Sequence, residues 1–97
     1  MTYTVHPAVE RDLDEAASYL VKHASLRTVA RFLDEFKRVA DLLVEHPEIG
    51  TPISRGRRIQ PFRVFRYAVV YRVVDGRPHI LLVRHKRRRA NLGGTRR

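Results

Sequence analysis

Arginines and histidines in the second half of this sequence are the side chains best suited to chemistry. Arg57, Arg58, Arg63, Arg66 and Arg72 recur every few residues, and Arg84, His85, Arg87 and Arg88 follow beyond a turn. A guanidinium holds a phosphate or carboxylate through two parallel hydrogen bonds, and an imidazole gives or takes a proton near neutrality. The set Arg57, Arg58, Arg63, Arg66, Arg72, His85, Arg87 and Arg88 therefore points to an anion- or target-binding surface. Other chemistry has no foothold. There is no P-loop, no glycine-rich dinucleotide fingerprint and no HExxH motif. The chain lacks Cys, which removes thiolate and disulfide chemistry, and its five His are scattered without metal-ligand spacing. No metal site and no cofactor is expected.

Charge is divided unevenly along the chain, whose formal net charge is +10. Residues 1–50 carry six Lys/Arg against nine Asp/Glu, a balance of −3, whereas residues 51–97 carry fourteen against Asp75 alone, a balance of +13. The first half reads as scaffold. The second presents a positive field that attracts nucleic acid, an acidic protein segment or an anionic surface. The longest apolar run, Ile80 to Val83, is far short of the roughly 20 residues of a membrane span. Acidic residues near the start are unlike a signal peptide. A single cytoplasmic domain over 1–97, without membrane association, is the expectation.

The positioning elements follow from periodicity. Residues 2–6 alternate as a short strand, and Pro7 suits the first position of a helix running to about residue 23. Ser25 can cap a second helix whose apolar stripe includes Val29, Phe32, Phe36, Val39, Ala40 and Leu43, and His46-Pro47 ends it. Residues 51–57 read as a loop, 58–61 as a short strand and 64–74 as a long one. Asp75-Gly76 is a type I′ hairpin signal, with the returning strand over 80–85. From Arg87 onward no core-forming pattern remains, and about 90–97 is expected to fray. The result is an α+β fold of order β-α-α-β-β-β, a helical hairpin packed on one face of a mostly antiparallel sheet.

The turn also fixes a register. With Asp75 and Gly76 central, Tyr71 meets Ile80, Val69 meets Leu82 and Tyr67 meets Arg84 on the face that packs on the helices. Arg72 then meets His79, Val70 meets Leu81, Ala68 meets Val83 and Arg66 meets His85 on the opposite face. Arg66 and His85 are thus expected side by side, away from the helices, within reach of one anion.

In this order the motifs resemble the RelE/ParE toxin superfamily over nearly the whole chain. His46-Pro47-Glu48-Ile49-Gly50-Thr51-Pro52 is similar to its P-x-x-G-x-P segment, and Phe65-Arg66-Tyr67-Ala68-Val69-Val70-Tyr71-Arg72-Val73 to its strand of pattern F-x-Y-x, two hydrophobic residues, then Y-R-V. Ile80-Leu81-Leu82-Val83-Arg84-His85-Lys86-Arg87-Arg88 resembles the closing strand with its H-x-R-R signature. The resemblance implies a growth-inhibiting toxin, neutralised in a hetero-oligomer by a cognate antitoxin with an acidic, amphipathic segment. ParE-like members poison DNA gyrase without an assigned catalytic site. RelE-like members cut messenger RNA on the ribosome, for which His85, Arg66, Arg84 and Arg58 are the candidates as proton-transfer and charge-stabilising groups. RelE-like nucleases often carry a functional aromatic near the C-terminus, and relatives often have proline and a bulky aromatic after the Arg run. Here that stretch reads Ala90-Asn91-Leu92, with no aromatic beyond His85. The departure favours the ParE-like reading, with the nuclease as alternative and a nucleic-acid-binding module outside any toxin system as the third.

Overall fold

Ser25 turns the chain between its two helices. The computed structural model describes residues 2–86 and 96. In it the Ser25 hydroxyl accepts the Thr28 N–H at 3.1 Å, satisfying one donor at the start of a helix over Leu26–Glu45 (α2). The preceding helix, α1, spans Val9–His23. Pro7 stands before it rather than in its first turn; Ala8 occupies the cap position, and its N–H donates to His6 Nδ1 at 3.0 Å. Lys22 and His23 at the C-terminal end complement the helix dipole.

The sheet has five strands: β1 (Thr4–Val5), β2 (Thr51–Pro52), β3 (Arg58–Pro61), β4 (Tyr67–Val74) and β5 (Arg77–His85). Their spatial order is β1-β5-β4-β3-β2, antiparallel throughout except that β1 runs parallel to β5. The two-residue β2 falls where a loop was expected; Thr51 and Pro52 pair with Ile59 and Arg58, and a short 3-10 turn over Ser54–Gly56 connects β2 to β3. β4 begins three residues later than expected, and β5 opens at Arg77, the residue that the expected register pairs with Val74.

Both helices pack on one side. Phe32 is fully buried at the centre of an aromatic cluster, with ring centroids 5.3 Å from Phe62, 5.4 Å from Phe65 and 5.0 Å from Tyr67. Val9, Ala16, Val39, Ala40 and Leu43 meet Val69, Tyr71, Ile80 and Val83 in the same core. A smaller apolar cluster of Val70, Leu81 and Leu82, with Ile53 and Ile59 against it, lies on the other side. Among the described residues no helix is long and apolar enough to cross a membrane.

The hairpin turn is as the sequence implies, with φ of +53° at Asp75 and +78° at Gly76. Register follows the expectation from Val74–Arg77 to Tyr71–Ile80 and then shifts by one, so that Val70 pairs with Leu82, Val69 with Val83, Ala68 with Arg84 and Tyr67 with His85. Leu81 is the extra residue of a β-bulge. Its position explains why the slip is tolerated. Ile80, Leu81, Leu82 and Val83 are all apolar, so Leu81 and Leu82 can both join the outer cluster while Ile80 and Val83 remain in the main core.

Candidate anion-binding face

The bulge decides which cations share a surface. Past Leu81, every residue of β5 changes sides relative to the unbroken register. Arg84, paired with Ala68, comes to the face away from the helices. His85, paired with Tyr67, comes to the helix side, where its ring stands edge-on to Tyr67 with centroids 5.2 Å apart. The expected juxtaposition of Arg66 and His85 is therefore corrected. Arg66 is exposed just before β4, where its carbonyl accepts the Lys86 N–H at 2.8 Å.

Arg58 is also removed from the expected site. It pairs with Tyr71 and shares the helix-side parity, and its guanidinium donates to the carbonyls of Glu48 at 3.0 Å and Gly50 at 2.7 Å. The Tyr71 hydroxyl completes this junction, donating to the Pro47 carbonyl at 2.7 Å and accepting the Gly50 N–H at 3.0 Å. A Cβ on Gly50 would fall 2.7 Å from that hydroxyl, so the backbone needs glycine to approach it. Burial, more than any neighbouring charge, pushes the Tyr71 phenol above its ordinary pKa. Motifs separate in the sequence, around residues 47–52, 58 and 71, thus converge on one structural junction. Arg63 belongs to another junction: its backbone N–H donates to Glu35 Oε2 at 2.8 Å, and the same carboxylate is held in two bonds by Arg38.

Of the expected set, Arg57 and Arg72 remain on the outer face. Strand alternation from Ile59, opposite Val70, puts Arg57 beside Arg72, and Arg72 is opposite His79 as expected. His79 Nδ1 lies 2.6 Å from the Thr4 hydroxyl. Arg57 is buried, at 7% exposure. That burial first, and then the positive charges of Arg55 and Arg72, holds its guanidinium below the usual arginine pKa. Arg55 itself adopts φ of +63° in the turn leading to β3. Arg84 extends the positive surface along β5. Arg87 and Arg88 lie outside the described residues.

Two further participants were not visible in the sequence. β1 pairs with β5 only as far as Val5 and Ile80, and among the described residues no strand adjoins that edge of β5 beyond Ile80. There the Asp12 carboxylate accepts the Val83 N–H at 3.1 Å, and Arg96 donates to the Leu81 carbonyl at 3.1 Å. Arg96 also grips both oxygens of Asp12, at 2.7 and 3.2 Å, while its own carbonyl accepts from Arg57. No spacing rule links positions 12, 57 and 96; only the shortness of β1 signals that other groups must meet the backbone of β5. Arg96, the one described residue of the stretch expected to fray (about 90–97), docks at three points; the rest of that stretch lies outside the described residues.

A recess lined by Glu45, His46, Pro47, Glu48, Ile49, Val73 and Gly76 borders the Arg58–Tyr71 junction and includes none of the expected site residues in its lining. Among the described residues no group of three or more His, Cys, Asp or Glu side chains could hold a metal ion.

The sequence matches the family model described as ParE toxin of type II toxin–antitoxin system, parDE, over residues 3–90. No curated protein matches it. The fold is similar to a solved chain from the chromosomal ParDE TA system of P. aeruginosa, with a TM-score of 0.76 at 17% sequence identity, covering 88% of this chain and 95% of that one. At that identity the likeness concerns the fold.

Proposed function

This chain belongs to the ParE toxin family of type II toxin–antitoxin systems, and from that membership we propose that it arrests growth in the cytoplasm by binding DNA gyrase. One observation carries this choice of target. His85 and Arg84 lie on opposite sides of the sheet, and Arg58 is committed to the carbonyls of Glu48 and Gly50. The acid, base and cations that a ribosome-dependent nuclease would draw from Arg58, Arg66, Arg84 and His85 do not converge, whereas a non-catalytic inhibitor needs only a complementary surface. The outer face around Arg57, Arg72 and Arg84 is the surface assigned to that role.

The family brings with it an antitoxin partner. Its neutralising segment is proposed to be acidic and amphipathic, ordered on binding, and to form a hetero-oligomer with the toxin. The charge of the second half would accelerate association, so added salt should slow the on-rate more than it changes dissociation. The direct test mixes purified toxin with gyrase and DNA, and separately with translating ribosomes. Toxin-dependent trapping of gyrase on cleaved DNA, with messenger RNA intact, is the expected result. Cleaved messenger RNA without trapped gyrase would overturn it.

A further inference from the structure

The two helices end differently. α1 closes on Lys22 and His23, cations that complement its dipole, whereas the last turn of α2 holds no basic residue and finishes on Glu45. The partial negative charge at that end is therefore reinforced rather than offset. Just beyond it Glu48 adds a second carboxylate, and both glutamates line the recess between residues 45–49 and the β4–β5 turn. Asp75 and Arg77 flank Gly76 at the far wall, and their charges cancel formally. Among the described residues neither glutamate side chain is engaged in a hydrogen bond or ion pair. Arg58, at the border, gives its guanidinium to the Glu48 and Gly50 carbonyls instead. In a chain of net charge +10, the recess is a local excess of negative charge.

The recess encloses about 600 Å³, a size common to ligand sites, and its surface is mostly apolar, with Pro47, Ile49 and Val73 in the lining. Ile49 is 47% exposed, and Glu45 and Glu48 are exposed beside it, so these groups are open to solvent. The backbone that carries them is fixed in advance. The His46 N–H donates to the Leu42 carbonyl at 2.8 Å, the Ile49 N–H to the His46 carbonyl at 3.1 Å, and the Tyr71 hydroxyl to the Pro47 carbonyl at 2.7 Å. An occupant would meet a formed shape and lose little to ordering it.

We propose that this recess is a docking site for a partner protein that inserts an arginine or lysine side chain flanked by apolar residues. The aliphatic stem of such a side chain covers apolar surface while its charged head reaches for an acceptor. Ile49 and Val73 beside Glu45 and Glu48 supply both halves of that match. An acidic peptide or a nucleic acid would meet like charge there. The site is therefore separate from the cationic face assigned to the target: Val73 packs on the helix-side core, and the charge of the recess is of opposite sign.

The test titrates the isotope-labelled full chain with a capped leucine-arginine-leucine peptide and follows backbone amide shifts by NMR. Two counterparts replace the arginine with glutamine and with glutamate. Because the chain as a whole is cationic, general electrostatics oppose the arginine peptide, and its binding reports on the recess. Shifts at residues 45–49, 73 and 76 are expected with the arginine peptide alone. Glu45→Gln and Glu48→Gln should each weaken binding about two- to fivefold, the scale of an exposed ion pair, and the double variant about tenfold. Ile49→Ala should weaken it by a similar factor with no change in charge. All three side chains are exposed, so the fold should persist, and thermal melts check this. Equal binding of the glutamine peptide, unchanged affinity in the double variant, or no shift at 45–49 with the arginine peptide would each overturn the proposal. Self-association of the chain that is lost in the double variant would assign the recess to a second copy and overturn the proposed partner. None of these measurements reads gyrase trapping, so this proposal and the proposed target can fail separately.

Discussion

The two faces of the sheet solve different problems with similar materials. On the helix side, Phe32, Tyr71, Leu43 and Val39 are fully buried, and the polar groups close by are tied down at short range: Tyr71 to residues 47 and 50, Arg58 to 48 and 50, Glu35 to Arg38 and Arg63. On the outer side a smaller cluster of Val70, Leu81 and Leu82 is also buried, and Arg57, Arg72 and Arg84 lie on the same side of the sheet. One face holds the fold together. The other keeps Arg57 close to the charges of Arg55 and Arg72 at an electrostatic cost, which supports the proposal that it is a binding surface.

The sharpest way to break this contrast is through its core. Phe32→Ala should lower stability by about 3–5 kcal/mol in urea or thermal unfolding, because it removes the ring on which Phe62, Phe65 and Tyr67 converge. In a domain whose total stability is of the order of 5–15 kcal/mol, that substitution alone brings the chain near unfolding. A loss comparable to that of a surface substitution would show that the helix side is not the true core.

Next comes the loop junction. Tyr71→Phe strands the Gly50 N–H and the Pro47 carbonyl and should cost about 1–3 kcal/mol. Gly50→Ala should cost a similar amount by a different route, since its methyl would meet the Tyr71 hydroxyl and ring. Because both act at one contact, the double variant should fall short of the sum of the single losses. Strict additivity, read from unfolding curves of the three variants, would separate the two motifs that the structure joins.

These residues also define what could be read from the chain alone. The helices, the Ser25 cap, the turn at Asp75-Gly76 and the register near it are local, and periodicity and turn chemistry specify them. The family resemblance was legible because the order of motifs survives without their contacts. Alternation, however, specifies register only where polar and apolar residues alternate, and Ile80 to Val83 offer four apolar residues in a row. The bulge at Leu81 was therefore invisible, and with it the side on which His85 falls. Arg58 looked like a ligand for phosphate because its sequence neighbours are basic, whereas its true partners are carbonyls eight and ten residues away in the chain. Arg96 and Asp12 are separated by 84 positions and meet at the backbone of β5, where Arg96 binds the Leu81 carbonyl and Asp12 the Val83 N–H.

Acidification gives a smaller effect and again favours the helix side. The bonds from Arg38 are the largest cause holding the Glu35 carboxyl below its ordinary pKa, followed among the lowering causes by the Arg63 N–H. A depressed carboxylate contributes stability that is present above its unfolded value, about 4.3, and is lost as pH falls through its lower folded value. At neutral pH, Glu35→Gln should therefore be less stable than the parent by on the order of 1 kcal/mol, discounted for the part-exposed Arg38. The gap should close as the solution is acidified below about pH 4. A gap that stays constant with pH would mean that Glu35 acts through packing. His85→Ala belongs at a similar or smaller scale, about 0.5–1.5 kcal/mol from the lost edge-on contact with Tyr67, with gyrase trapping unchanged.

The smallest expected change in stability sharpens the comparison most. Arg72 is half-buried on the outer face, and its charge opposes that of Arg57. Replacing it with Gln removes a repulsion together with some side-chain packing. The net effect on unfolding should therefore stay within about 0.5 kcal/mol of the parent, as for most surface substitutions. Function should respond in the other sense, because Arg72 lies beside Arg57 on the proposed target surface. Gyrase trapping by purified Arg72→Gln toxin and growth arrest on its induction should both fall, at unchanged protein level and melting temperature. The control is Arg38→Gln on the helix side, which should lower stability through the loss of Glu35 while leaving trapping by the folded fraction intact. If Arg72→Gln instead melted early and the folded remainder trapped gyrase normally, the outer cations would be part of the scaffold, and the division of labour between the two faces would fail.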